Sequence, residues 1–174
     1  MKLLHTTFNQ LLFGALLLVF LQVPIVTVQY IQYLSGYLAA NQQQLTQLTA
    51  LAEQGGYASV DALVDELARN SAEVIQKDAE NKRALITETR QVNQDIIHLQ
   101  QANYPQQLWY LVQPNRIKRL DTVLEKFTPG VPLQPIDIAW SVLFALLLSA
   151  LLRILVRVVS PKRRGRRLFA VSER

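Results

Sequence analysis

From Leu3 to Ala52 the chain carries no Asp, Glu, Lys or Arg, and a second charge-free run extends from Ile138 to Leu152. A charged side chain at the bilayer centre costs roughly 2.5–3.5 kcal/mol even on mild insertion scales, so both runs predict membrane spans. The first span is placed at residues 11–30, with its apolar core from Leu11 to Val28 interrupted only by Gln22, Pro24 and Thr27. At helical rise that core reaches about 27 Å, close to the hydrocarbon thickness. A cleaved signal peptide is the competing reading, with Lys2 as its basic start and Leu11 to Leu21 as its apolar segment. No small-x-small cleavage signature follows at the proper distance, and the apolar character runs on to Tyr30, which favours a retained span.

Past the span, Tyr30, Tyr33 and Tyr37 recur at helical spacing and predict a row of phenols where lipid gives way to water. The plain alternative for this row is core packing. The same helix is expected to continue to about residue 54, carrying Leu38, Leu45, Leu48 and Leu51 at helical spacing, until Gly55 and Gly56 stop it. Ser59 then suits the N-cap of a helix from Val60 to Arg69, and Asn70 and Ser71 mark a boundary. A longer helix from about Ala72 to Ala102 presents Val74, Ile75, Leu85, Ile86, Val92, Ile96 and Leu99. Asp78, Asn81 and Lys82 interrupt it where a strict coiled-coil seam would be apolar. Pro105 starts a short helix ending near Val112, and Asn115 suits the cap of another from Arg116 to Phe127. No strand pattern is present, so residues 31–136 predict a small helical bundle. Trp109, Tyr110 and Leu111 have two possible seats, the bundle interior or the headgroups.

Pro129, Pro132 and Pro135 form a rigid approach to the second span at residues 137–159, which Asp137 opens and Trp140 marks one turn inside. Ser141, Ala145 and Ser149 recur every fourth residue, a series that lets another helix come close in lipid, either the first span near Gly14 or a second subunit. Arg153 and Arg157 are placed to snorkel from the last turns. Lys162, Arg163, Arg164, Arg166 and Arg167 follow as a stop-transfer signal in a basic tail at residues 160–174. With Lys2 before the first span and this cluster after the second, both termini are expected in the cytoplasm. The fold class expected is therefore an all-α membrane protein, with two transmembrane helices in a hairpin around an extracytoplasmic helical domain, preceded by a cytoplasmic N-terminus at residues 1–10.

Charge sharpens this division. Residues 53–137 hold 12 acidic and 9 basic side chains, whereas the two ends hold 9 basic side chains against Glu173 alone. The net charge of +5 thus belongs to the termini. Five basic residues directly after a span fit topology and anionic lipid, and no aromatic stacking module accompanies them, so a nucleic-acid partner is not expected. The absence of cysteine removes thiolate chemistry and disulfides. His5 and His98 fall on opposite sides of the expected membrane and cannot share a metal. Asp61, Asp65 and Glu66 read as a solvated helix face, and no serine stands in a nucleophile motif. No catalytic, cofactor or metal residues are therefore assigned.

Val23 and Pro24 leading into Gln29-Tyr30-Ile31-Gln32-Tyr33-Leu34-Ser35-Gly36, and Phe127-Thr128-Pro129-Gly130-Val131-Pro132-Leu133 ahead of the last span, carry a family likeness. The chain resembles, over nearly its whole length, the small bacterial membrane proteins grouped as domain of unknown function 2937. That resemblance implies a two-span protein of the bacterial inner membrane with a periplasmic central domain, and it brings no activity or cofactor. The expected role is a non-enzymatic scaffold or accessory subunit, with membrane lipid and either a protein partner or further copies of itself as partners. A periplasmic ligand sensor or transport accessory is the alternative, and an oligomeric pore lined by Gln22, Ser141 and Ser149 a third.

Overall fold

A computed structural model describes residues 2–159. Six α-helices follow one another: α1 (Lys2–Gln54), α2 (Val60–Ala68), α3 (Glu73–Gln101), α4 (Tyr104–Leu111), α5 (Ile117–Leu124) and α6 (Pro135–Val159). A 3-10 turn at Pro114–Arg116 precedes α5, and no strand occurs among the described residues.

Local chemistry explains most of the helix ends. α1 begins well before the apolar core and runs through Pro24, which lacks the N–H that would bond the Phe20 carbonyl. It stops in a Schellman turn: the Tyr57 N–H reaches the Ala52 carbonyl at 2.8 Å and the Gly56 N–H reaches Glu53 at 3.1 Å, with Gly56 at φ +73°. Ser59 Oγ accepts the Ala62 N–H at 3.1 Å and starts α2. Asn103 and Gln106 form a reciprocal capping box at the head of α4. The head of α5 differs from expectation. Pro114 starts a 3-10 turn, so the N-cap position falls on Arg116 rather than Asn115, and the helix ends at Leu124 instead of Phe127. The last helix starts at Pro135, which leaves Asp137 inside its first turn.

The chain divides into two compact units. One comprises residues up to Leu21 together with those from Leu133 onward, and the other runs from Gln22 to Pro132. In the first unit, Phe20 of α1 stacks on Phe144 of α6 at 5.7 Å, and Trp140 stacks on Phe144 at 5.9 Å. Ser141, Ala145 and Ser149 are buried, while Leu143, Leu146, Leu147, Leu151 and Ile154 face outward. Phe8, Leu11, Leu18 and Val19 of α1 do the same.

The second unit is built on two helical stripes. On α1 the buried positions Thr27, Leu34, Asn41 and Leu48 fall every seventh residue, flanked by Val23, Tyr30 and Ala52. On α3 the stripe is Ala79, Ile86, Thr89, Val92, Asp95, Ile96 and Leu99. Val64 of α2 joins Ala79 and Ile86 in a cluster completed by Leu45, Val60, Leu67 and Ala68. Tyr104, Tyr110 and Leu111 of α4 and Val123 of α5 add the remaining buried apolar groups.

Candidate functional site

Asp95 lies on the same stripe of α3 as Val92, Ile96 and Leu99, so folding takes its carboxylate out of water. It answers with a two-pronged pair: Arg116 Nη2 donates to Oδ1 at 2.8 Å and Nη1 donates to Oδ2. Both side chains are largely covered, at 9% exposure for Asp95 and 13% for Arg116. The Arg116 guanidinium also lies 4.9 Å above the Tyr110 ring, whose edge meets Tyr30 at 6.2 Å and which neighbours His98 at 5.9 Å.

A second assembly of the same kind stands two turns earlier on α3. Arg119 Nη2 donates to Glu88 Oε1 at 2.6 Å, and its guanidinium lies 5.7 Å from the centre of the Tyr37 ring. Arginines three apart at the start of α5 thus reach acids seven apart on α3, and each also covers a tyrosine of the neighbouring helices. Burial pushes the Tyr110 phenol well above its ordinary value, the Asp95 charge pushes it further, and Arg116 opposes. Burial and then the Glu88 carboxylate raise Tyr37. Tyr30 Oη, Tyr110 Oη and Arg116 Nε are buried without a hydrogen-bond partner among the described residues. Two acids matched by two arginines, with phenols held protonated, make a charge-balanced junction that ties α1, α3, α4 and α5 together.

The residues singled out from sequence fare differently. Tyr30 is fully enclosed and contacts Tyr33 and Tyr110, so it belongs to the core rather than to a lipid-facing row. Tyr33 and Tyr37 are half-buried. Tyr110 is interior, whereas Trp109 beside it is 69% exposed. Asp61, Asp65 and Glu66 are solvent-facing and each holds an arginine: Arg90 at 3.6 Å, Arg83 at 2.5 Å and Arg69 at 3.4 Å. At Gly14 an added Cβ would meet nothing within 4 Å, so this glycine makes no close helix approach in the chain. Arg153 folds back one turn rather than reaching past the helix end, donating to the Ser149 carbonyl at 3.0 Å and to Ser149 Oγ at 3.1 Å. The side chain of Arg157 and all of Lys162, Arg163, Arg164, Arg166 and Arg167 lie outside the described residues.

Sequence reasoning missed the Asp95–Arg116 junction. The available signal was an acid placed in the apolar stripe of a long helix, which demands a partner.

A further polar contact closes this unit. The Gln22 side chain spans the backbone of Gly130, donating to its carbonyl at 3.3 Å and accepting its N–H at 3.2 Å. Gln29 donates to the Thr128 carbonyl at 2.9 Å. The Pro-bounded segment thus runs along one side of α1, seated on Ile25. These are the two stretches that carried the family likeness, and the family's profile extends over residues 4–165. The chain belongs to DUF2937, a family of proteins of unknown function. No curated protein and no solved structure matches the chain. The DUF2937 match takes in both long apolar helices and everything between them, so the likeness is not confined to the central unit.

Proposed function

We propose that this DUF2937 protein is a two-span protein of the bacterial inner membrane, with both termini cytoplasmic, its central domain periplasmic, and a non-enzymatic scaffold or accessory role. The observation that carries the reading is the outward aim of the apolar side chains on α1 and α6. Only 22% and 17% of their most apolar stretches are buried, whereas the core helix of a water-soluble protein is mostly covered. A hairpin is supported by Gln22 and Gly130, because their contact brings the start and end of the central unit to one place.

The scaffold role is supported by how the ionisable groups are spent. Asp61, Asp65, Glu66, Asp78, Glu88 and Asp95 each hold a basic side chain in an ion pair that ties the unit to itself. Trp109, Val112 and Ile117 are exposed apolar side chains on neighbouring short elements and offer a surface to a protein partner or a second copy. The polar groups named for a pore favour this reading too. Gln22 is held by Gly130, Ser141 Oγ donates to the Asp137 carbonyl at 2.7 Å, and Ser149 Oγ donates to Leu146 at 2.9 Å.

Reporter fusions at Gly56 and at both termini test the topology: the Gly56 fusion should be active only as a periplasmic reporter. Photocrosslinking from Trp109 in intact cells tests the role. A discrete protein adduct is expected, and purely lipid adducts together with monomeric behaviour in mild detergent would remove the scaffold reading.

A further inference from the structure

Between α1 and α5 lies a groove of about 490 Å³ whose polar lining is Gln29, Gln32, Tyr33, Thr122, Lys126 and Thr128. Each of these side chains offers at least one hydrogen-bond donor, and among the described residues no carboxylate lines the groove. Charge makes the set specific. Arg69, Lys82, Arg83, Arg90, Arg116 and Arg119 each pair with an acid of the same unit, whereas Lys77 and Lys126 form no ion pair among the described residues, and of these two only Lys126 lines the groove. An unpaired ammonium among amide and hydroxyl donors suits an oxyanion with several acceptor atoms, and a phosphate meets that description.

Position adds the source of the anion. Gln29 is bonded to Thr128, two turns of α1 beyond the Gln22–Gly130 contact, which is about 10 Å at helical rise. Along the chain the central unit begins at Gln22 and ends at Pro132, where the two apolar runs adjoin it, so in the two-span reading this stretch lies toward the headgroup band. Val28 and Val131, next in sequence to Gln29 and Gly130, are exposed apolar side chains suited to the ester and acyl region of a lipid.

We propose that this groove holds a phosphate-bearing anion, presented as the headgroup of an anionic phospholipid and gripped by Lys126. The inference rests on the two-span reading. The full-length chain, delipidated in mild detergent, is titrated with phosphatidylglycerol and with inorganic phosphate, following lipid adducts by native mass spectrometry and stability by thermal melting. Lys126→Glu and Gln32→Glu reverse or oppose the charge at the groove, and Lys77→Glu on α3 controls for a general loss of positive charge. The expected result is one retained phosphatidylglycerol whose affinity falls about tenfold or more in Lys126→Glu, the equivalent of one charge-assisted hydrogen bond, and is unchanged in Lys77→Glu. Lipid-free melting of the variants should match the parent because Lys126 is exposed. Equal retention by the parent and Lys126→Glu overturns the site. Displacement of lipid by inorganic phosphate, with phosphate alone stabilising the parent but not Lys126→Glu, overturns the lipid source and reassigns the groove to free phosphate. Carbonate extraction of native membranes separates the two readings: a released chain defeats the two-span reading, while a retained chain with unaltered lipid binding in Lys126→Glu defeats only the groove.

Discussion

Gln22 grips Gly130 by both of its backbone polar groups across a separation of 108 residues, with one amide side chain doing the work of a short strand pairing. A Pro-rich segment cannot satisfy its backbone within a helix, so it borrows a partner from α1. Gln22→Ala should therefore cost about 1–3 kcal/mol, since it strands a partly buried N–H and carbonyl together. Gln22→Glu should recover only part, because a carboxylate still accepts the N–H but no longer donates to the carbonyl. Thermal melting of both variants in the same detergent checks the order, and equal stabilities would remove the argument.

The Asp95–Arg116 pair makes a prediction with two opposite arms. Asp95→Leu or Arg116→Met alone leaves a buried partner without its counter-charge, a loss of about 3–5 kcal/mol. Asp95→Leu combined with Arg116→Met removes both charges and should be less destabilising than either single change. A double-mutant cycle by chemical denaturation of the full chain reads this directly, and simple additivity would show the pair to be uncoupled.

Packing in the stripe of α3 should behave as a true core. Leu99 is fully buried, and Leu99→Ala should cost about 2–5 kcal/mol. Val74, 81% exposed on the same helix, should tolerate Ala within about 0.5 kcal/mol. Unfolding curves of the two variants provide the comparison.

Gly56 sits at φ +73°, the left-handed conformation that ends α1. Gly56→Ala is expected to lose about 1–2 kcal/mol although an added Cβ would meet no atom within 4 Å, because the penalty lies in the backbone. A melting shift in Gly56→Ala tests it; an unshifted transition would show that the turn relaxes without cost.

Alkaline pH should weaken the junction through Tyr110. Its phenol titrates above the ordinary value of about 10 because burial and the Asp95 charge disfavour the phenolate. Above that ordinary value the unfolded chain gives up a proton that the folded chain keeps, so stability is complete below about pH 10 and declines as pH rises beyond it. Tyr110→Phe should flatten this decline. Ultraviolet titration of phenolate absorbance alongside unfolding measurements across that range would reveal whether the late step belongs to Tyr110.

The helix ends were legible because capping chemistry acts within one or two turns. Ser59, Asn103 with Gln106, and the Gly55–Gly56 pair each meet their hydrogen-bond partners among residues next to them in the chain. The head of α5 differs for a related reason: an Asn directly before a periodic stretch suits an N-cap, but Pro114 starts a 3-10 turn first and moves that position onto Arg116. Gly14 marks another limit, since a small residue permits close approach without supplying the helix that comes close.

By itself, then, the sequence determined the two apolar runs, the helical class and the main helix ends, since hydropathy and capping are properties of neighbouring residues. Only the tertiary structure decided that Tyr30 turns inward, that Asp95 is answered by Arg116 and that Gln22 meets Gly130. A phenol, an acid or an amide at a helical position serves a wet surface, a headgroup layer or a buried junction equally well. The choice among them is made by whichever distant segment supplies the missing partner and excludes the water.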